Sequence, residues 1–308
     1  MSGHAGSGAG SRAAAGPATG PARVWTRGLL ADGLAGLGLV PGEDVLVHCS
    51  LHSVGWLENG PRTLLEALID VLGPASTVVV PAQTTYNSWS SPAFRRATAG
   101  LTPRRRAEYL AALPGFDPAA TPSQGMGIFA EHVRTRPGAC RSAHPHTSFA
   151  ALGPAAAEIT RAHRLASHLG DESPLGRLHA RGARALLLGV GFDRATTFHL
   201  AEYWPGRRLR PYHAKISEPG GAAGGATASW VRFEGIELND DDFPMLGEQM
   251  MKHTWVRTGP VGSAPCSSFP MREAVQFARG WFAEHRAGYP SPLQLRSGAH
   301  DDRLHVEP

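Results

Sequence analysis

The feature that most constrains the fold is a pair of short apolar runs on either side of an amphipathic segment. DVLVHCS at 44–50 and STVVVPAQTT at 76–85 have the length and the β-branched content of buried strands. GPRTLLEALIDVLG at 60–73 has apolar residues at helical spacing and ends at a glycine. A strand, a helix and a second strand in this order favour a parallel pair joined by a right-handed crossover.

Helices and strands alternate along much of the remaining chain. Thr26 is a predicted helix cap, residues 86–124 are predicted to be irregular, and a third strand is predicted at 183–191. Two antiparallel strands around a Gly/Ala loop are predicted after residue 205. Further helices are predicted at 126–138, 154–167, 171–182 and 271–286. The pattern predicts an α/β fold with a mixed, largely parallel sheet flanked by helices and an added antiparallel strand region.

Composition divides the chain into three parts. Residues 1–22 are a low-complexity segment of Gly, Ala, Ser and Pro, which we expect to be disordered. Residues 23–288 are predicted to form a single domain, because the chain is 42% hydrophobic and 18% charged, as packed globular proteins are. The polar segment 289–308 is predicted to be a loose tail.

Charge and cysteine usage exclude several classes of function. The formal net charge is +4, and the one tight basic run, PRRRAE at 103–108, is typical of a solvated helix start, so we expect no nucleic-acid partner. No apolar stretch approaches the ~18 residues of a membrane span. Cys49, Cys140 and Cys266 are too far apart for a disulfide framework or a zinc pattern. A reducing, cytoplasmic location is expected.

Two polar stretches are candidate binding sites. HCSLHSVGW at 48–56 lies between a strand end and a helix, where free amides suit a phosphate, although an ordinary capping turn has the same residues. In RSAHPHTSF, at 141–149, His144 and His146 are spaced as two metal ligands. A third ligand with suitable spacing is missing nearby, and the alternative is a proline-containing turn. We therefore expect no metal.

His199 and Glu202 in TTFHLAEY, at 196–203, are the candidate catalytic pair. On a helix the carboxylate at i+3 shares the face of the imidazole and fixes its tautomer. The pair is either a general base with its orienting partner or a core histidine with the partner that burial requires. No G-x-S-x-G motif or cysteine nucleophile signature occurs, which favours chemistry without a covalent enzyme intermediate.

Six segments resemble, in their order, those of the aminoglycoside 3-N-acetyltransferases. They are DVLVHCSLHSVGW, STVVVPAQT, LPGFDPAATPSQGMGIFAEHVRTRPGACRSAHPHTSFAALG, DESPLGRL, ALLLGVGFDRATTFHLAEY and GPVGSAPC. The resemblance extends over about residues 25–285. It implies an antibiotic-acetyltransferase-like fold and a cytoplasmic acyltransferase of the kind that confers antibiotic resistance. The implied reaction transfers an acetyl group from acetyl-CoA to an amino group, commonly the 3-amino group, of an aminoglycoside.

The resemblance also assigns roles to individual residues. His199 corresponds to the family's catalytic histidine, which removes a proton from the attacking amine, and Glu202 corresponds to the carboxylate that follows it. Thr84 is also a candidate oxyanion donor. The cofactor-binding positions implied for acetyl-CoA are Ser50, Leu51, Ser53, Val54, Gly55, Thr84, His144, Ser148 and Phe149.

The substrate side departs from the family pattern. Gln83 replaces a histidine of many relatives, and GDESP replaces a G-x-D-S-P pattern, so that Glu172 occupies the usual aspartate position beside Asp171. Asp171, Glu172 and Glu202 are the acids expected to meet a cationic amine, with the cluster at 239–243 as a further candidate or a solvated turn. Another small amine as acceptor, a non-catalytic ligand-binding relative and a homodimer all stay open.

Overall fold

The computed structural model describes residues 23–84, 86–89, 91–204, 206–218 and 227–290. The predicted disordered segment 1–22 and the Gly/Ala loop at 219–226 lie outside these residues, as does the predicted tail beyond residue 290. Among the described residues, no helix has both the length and the apolar character needed to cross a membrane.

The elements follow one another as strands and helices in the predicted alternation. The strands are β1 Val24–Trp25, β2 Val45–Cys49, β3 Trp56–Leu57, β4 Val78–Pro81, β5 Cys140–Arg141, β6 Phe149–Leu152, β7 Arg184–Leu188, β8 Leu209–Glu218, β9 Thr227–Ile236, β10 Arg257–Val261 and β11 Ala264–Pro270. The helices are α1 Arg27–Gly36, α2 Leu51–Val54, α3 Pro61–Leu72, α4 Pro92–Thr98, α5 Pro103–Ala112, α6 Gly127–Arg134, α7 Ala156–Thr160, α8 Pro174–Arg181, α9 Phe243–Met250 and α10 Met271–His285. Two 3₁₀ helices, Phe192–Arg194 and Thr196–Glu202, follow β7.

A mixed sheet of seven described strands, in the order β10-β11-β7-β2-β4-β6-β5, forms the centre of the fold. The three central strands, β7, β2 and β4, are parallel, and the strands on both sides of them pair antiparallel. The predicted β–α–β unit is therefore confirmed, with α3 as its crossover. The predicted mixed α/β sheet is also confirmed, and its parallel part is confined to the centre, where the strands are buried on both faces.

Successive residues of the central strands contribute to two different hydrophobic cores. Leu46 of β2 joins a core with α8 and α10, whereas Val45 and Val47 join a core with α1 and α3. This alternation is the ordinary consequence of the two-residue period of a strand. Helices cover both faces of the sheet, so the carboxyl ends of β2, β4 and β7 are the edge at which loops of several elements meet.

The segment 86–124, predicted to be irregular, contains α4 and α5, so this prediction is wrong. Both helices begin with a proline after a capping hydroxyl, from Ser91 and Thr102 respectively. Periodicity could not reveal α5, because none of its residues is buried. The predicted solvated helix start at 103–108 is confirmed. Two isolated bridges join this segment to β8, and the predicted antiparallel pair β8 and β9 is confirmed.

The helix predicted at 154–167 ends at Thr160, and a loop takes the chain on to α8. The backbone becomes extended at Arg161, and Ala162 has a positive φ of 40°. The ring of His163 then makes hydrogen bonds with the carbonyls of Ser167 and His168. A side chain that binds nearby carbonyls offers the backbone an alternative to the helix, and the periodicity of the apolar residues does not report it.

Candidate active site

His199 and Glu202 lie on the 3₁₀ helix Thr196–Glu202, which follows the glycines after β7 and the first 3₁₀ helix, Phe192–Arg194. A 3₁₀ helix has three residues per turn, so side chains three apart lie one above the other. The Nδ1 atom of His199 is 2.6 Å from Oε2 of Glu202, and both side chains are buried. Because the carboxylate can only accept, Nδ1 carries the proton and Nε2 is left as an acceptor.

The carboxylate of Glu202 is held from behind by groups far away in the chain. Nη1 of Arg286 donates to Oε1 at 2.5 Å, and the backbone N–H of Asn239 donates to the same oxygen at 3.1 Å. Arg286 also contacts Asp242, with Nε 2.6 Å from Oδ2. Burial alone lowers the pKa of Arg286, but its hydrogen bonds to Asp242 and Glu202 outweigh burial and raise it. The buried carboxylate is thus fully partnered.

His199 lines a cavity of about 440 Å³ at the carboxyl ends of β2, β4 and β7. This is the edge where open α/β sheets bind ligands. β2 and its end contribute His48, Cys49 and Ser50, and β4 and its end contribute Pro81 and Gln83. The remaining lining residues are Gly125, Met126, Gly127, Thr147, Leu169, Val190, Asp193, Arg194, Thr196, Leu238, Asp240 and Phe243.

Two lining residues of β2 are neutral at physiological pH. Burial, together with the nearby His199 and Arg194, lowers the pKa of His48 to about 3, and its Nε2 is 3.2 Å from Oγ1 of Thr196. Burial raises the pKa of Cys49 to about 12, so that its thiol stays protonated and unreactive. These side chains give the cavity wall polar atoms without adding a charge.

The HCSLHSVGW loop forms a capping turn whose first residue lines the cavity. Ser50 caps α2, and its Oγ is 2.8 Å from Oγ of Ser53. The Val54 carbonyl accepts a hydrogen bond from the N–H of Ser263, in the turn between β10 and β11. Gly55 has a φ of 107°, and a Cβ there would lie 2.9 Å from Oγ of Ser263. The capping turn is therefore present, and the binding of CoA by Ser50, Leu51, Ser53, Val54 and Gly55 stays a prediction.

The other predicted cofactor residues hold the loop between β5 and β6. Oγ1 of Thr84 donates to the Pro145 carbonyl, and Oγ of Ser148 donates to the Ala82 carbonyl at 2.7 Å. Phe149 is fully buried in the core. These contacts position Thr147, which lines the cavity, and they leave the predicted cofactor roles of Thr84, Ser148 and Phe149 untested.

His144 and His146 belong to a cluster of buried histidines that also contains His163 and His168. Nδ1 of His144 accepts hydrogen bonds from the N–H groups of His146 and Thr147, and its Nε2 donates to the Leu165 carbonyl. Burial, and then the neighbouring histidines, hold the pKa of His144 well below its usual value. No group of three or more metal-ligating side chains is arranged for a metal ion within the described ranges.

The predicted substrate-side acids lie in different surroundings. Asp171 and Glu172 are exposed ahead of α8, and Glu172 forms an ion pair with Arg164 at 2.8 Å. Neither is among the residues that line the cavity. Two other acids do line it, Asp193 after β7 and Asp240 from the cluster at 239–243. Asp193 was not among the acids predicted from the sequence, although it lies two residues after Gly191, at the end of the predicted third strand.

The model of the aminoglycoside 3-N-acetyltransferase family matches residues 46–283 of this chain. This match spans more than half of the sequence, in the segments that build the sheet and the cavity. The chain belongs to the aminoglycoside 3-N-acetyltransferase family. The resemblance inferred from the six segments is therefore confirmed.

The relatives of this family member support the same assignment. The aminoglycoside N(3')-acetyltransferase-like protein YokD of Bacillus subtilis (strain 168) is 35% identical, over 83% of this chain and 92% of its own. Aminoglycoside N(3)-acetyltransferase VII of Streptomyces paromomycinus is 34% identical, over 84% of this chain and 92% of its own. The solved structure of AAC-IIIb in a binary complex with CoASH superposes with a TM-score of 0.74 at 31% identity, covering 88% of this chain and all of that chain. The predicted acetyltransferase fold is thus confirmed.

Proposed function

We propose that this protein transfers the acetyl group of acetyl-CoA to an amino group of an aminoglycoside, the 3-amino group, by direct attack of the amine on the thioester. The observation that carries the proposal is the His199–Glu202 pair. The Nδ1–H of His199 donates to the buried carboxylate of Glu202, and His199 lines a cavity at the carboxyl ends of the parallel strands. Membership of the family supplies the reaction class, and the CoASH complex of a relative supports the cofactor.

The chemistry assigns His199 as general base. Its Nε2 accepts the proton of the amine as the nitrogen attacks the thioester carbonyl, and Glu202 stabilises the imidazolium that forms. A C–N bond forms, the C–S bond breaks, and the departing thiolate takes up a proton to leave CoASH. No covalent enzyme intermediate is required, in keeping with the raised pKa of the Cys49 thiol beside the cavity.

The acceptor side of the cavity is proposed to be the region of Asp193 and Asp240. Both carboxylates line the cavity with His199, and a cationic amino sugar is attracted to negative charge at short range. Asp193 forms an ion pair with Arg194 at 3.0 Å. Asp240 lies later in the chain, between β9 and α9. For the cofactor, we propose Ser50 as a direct contact, because it lines the cavity.

The test measures the release of free thiol when the protein, acetyl-CoA and one amine are mixed. The amines are a panel of aminoglycosides together with small amines that lack a 2-deoxystreptamine ring. We expect release with an aminoglycoside and a loss of kcat/KM of about 10²- to 10⁴-fold in His199→Gln. His253→Gln, which changes an exposed histidine outside the cavity, is the matched control and should retain full turnover.

Two results would contradict the proposal. Release with a simple amine and with no aminoglycoside would assign the same chemistry to another acceptor. Full turnover in His199→Gln would remove the general-base mechanism even if aminoglycosides are acetylated. A thermal melt of each variant shows whether a lost activity reflects chemistry or unfolding.

A further inference from the structure

A line of ionic groups runs from His199 to the end of α10. His199 contacts Glu202, Glu202 contacts Arg286, and Arg286 contacts Asp242, the residue that precedes α9. Glu202 is fully buried, and the side chains of Arg286 and Asp242 are only 14% and 19% exposed. Neither Arg286 nor Asp242 lines the cavity. Their ionic connection to the site runs through Glu202.

The guanidinium of Arg286 is held on all of its edges. Nε and Nη2 bind the two oxygens of Asp242, Nη1 binds Glu202, and Nη2 also donates to the Asn239 carbonyl at 2.9 Å. The face of the guanidinium lies 3.6 Å from the centre of the Phe282 ring. A planar cation held in this way has a fixed position, and it fixes the carboxylate that it binds.

The charges of this line do not cancel when His199 is neutral. Two carboxylates and one guanidinium leave one negative charge in excess, and protonation of His199 removes the excess. The other titratable or charged groups that line the cavity with His199 are His48, Cys49, the ion pair of Asp193 and Arg194, and Asp240. The low pKa of His48 and the raised pKa of Cys49 keep both side chains neutral, so Asp240 adds the remaining charge.

We propose that Arg286 and Asp242 are positioning residues that set how readily His199 takes up a proton, acting through Glu202. Arg286 fixes the carboxylate and offsets part of its charge, and Asp242 offsets part of the charge of Arg286. The proposal rests on the proposed role of His199 as general base. It predicts that neutralising the two residues has opposite effects, which a purely structural role would not produce.

The test is the pH profile of kcat/KM in two variants. His199 must be neutral to accept a proton, so the acid limb of the profile reports its protonation. Asp242→Asn removes negative charge and should move the acid limb to lower pH by about 0.5 to 1 unit, and Arg286→Met should move it to higher pH by a similar amount. Shifts in the same direction, or equal losses at all pH values without a shift, would overturn the proposal.

Two further variants separate charge from structure. Asp241→Asn removes the same charge from the exposed neighbouring residue and should leave the acid limb in place. Arg286→Lys keeps the charge, but an ammonium group cannot bind Asp242, Glu202 and the Asn239 carbonyl at once as the planar guanidinium does. We therefore expect kcat/KM to fall while the acid limb stays within about 0.3 pH unit of its position in the wild type. A limb that moves in Asp241→Asn as far as in Asp242→Asn would show an effect of overall charge and contradict the assigned path.

A second measurement does not depend on turnover. The imidazole resonance of His199, assigned by its disappearance in His199→Gln, is titrated in the substrate-free protein. If no amine is acetylated by the wild type, the proposed function fails, and opposite NMR shifts in Asp242→Asn and Arg286→Met still support the electrostatic coupling. If the wild type acetylates an aminoglycoside and neither variant moves the NMR midpoint, the coupling fails alone.

Discussion

Two buried histidines, His199 in the cavity and His144 in the histidine cluster beside it, differ in what their ring nitrogens contact. His199 binds a carboxylate through one nitrogen and leaves the other as an acceptor in the cavity. His144 uses both nitrogens, one accepting from two backbone N–H groups and one donating to a carbonyl. Burial is common to both, so burial alone does not make a base. The difference lies in whether a nitrogen is left available for the substrate.

The sharpest way to break this comparison is to replace each histidine by leucine. His144→Leu leaves two backbone donors and one carbonyl without a partner in the core, so the free energy of unfolding should fall by about 2 to 4 kcal/mol. His199→Leu removes one hydrogen bond from a buried carboxylate that keeps its bonds to Arg286 and Asn239, so it should cost about 1.5 kcal/mol while abolishing most of the turnover. Urea unfolding measures the first effect. Equal destabilisation by both changes would mean that His199 is a structural histidine too.

The second way is to titrate the stability of the whole protein with acid. Burial lowers the pKa of His146 and His163 to about 4 and that of His168 to about 3, from the ordinary value of 6.5. As the pH falls below 6.5, these histidines take up protons in the unfolded chain before they do so in the folded protein. The free energy of unfolding therefore has its full value above pH 6.5. It falls as the pH approaches 4, by about 1.4 kcal/mol per pH unit for each histidine. Urea midpoints at pH 7.5, 5.5 and 4.5 measure this slope, and a flat profile would contradict it.

The smallest effect is expected inside the cluster itself. Nε2 of His168 is buried without a hydrogen-bond partner among the described residues, and its ring packs against Tyr212 and Phe233. His168→Leu removes no hydrogen bond of this nitrogen and should cost less than about 1.5 kcal/mol at pH 7.5. The variant should become more stable than the wild type at pH 4.5, because one buried imidazole no longer has to take up a proton. An unchanged order at both pH values would contradict this expectation.

The sequence predicted those features that are local. The strand and helix pattern around β2, α3 and β4 follows from periodicity, and the pairing of His199 with Glu202 follows from a spacing of three residues. The line of ionic groups could not be predicted, because Arg286 is 84 residues from Glu202 and looks like an ordinary basic residue at a helix end. Of the two acids that line the cavity, Asp240 belongs to a cluster that was a candidate from the sequence, whereas Asp193 was not predicted. Only the fold places both of them at the same cavity.

The same limit explains the predicted cofactor residues that the structure places in supporting positions. Thr84 and Ser148 look like free hydroxyls in a sequence, but each donates to a backbone carbonyl of a neighbouring segment. Val54 and Gly55 pack against the turn between β10 and β11, more than 200 residues away. A motif identifies the loop that builds a site, whereas the direction of each side chain depends on partners that are distant in sequence.

The 3₁₀ form of Thr196–Glu202 also determines which changes in chain length this site tolerates. One residue inserted between His199 and Glu202 would rotate the carboxylate by about 120° around the helix axis and separate it from the imidazole. A substitution at Leu200 or Ala201 leaves the interval unchanged. An alignment of homologues that retain the activity should therefore show no insertion or deletion between His199 and Glu202.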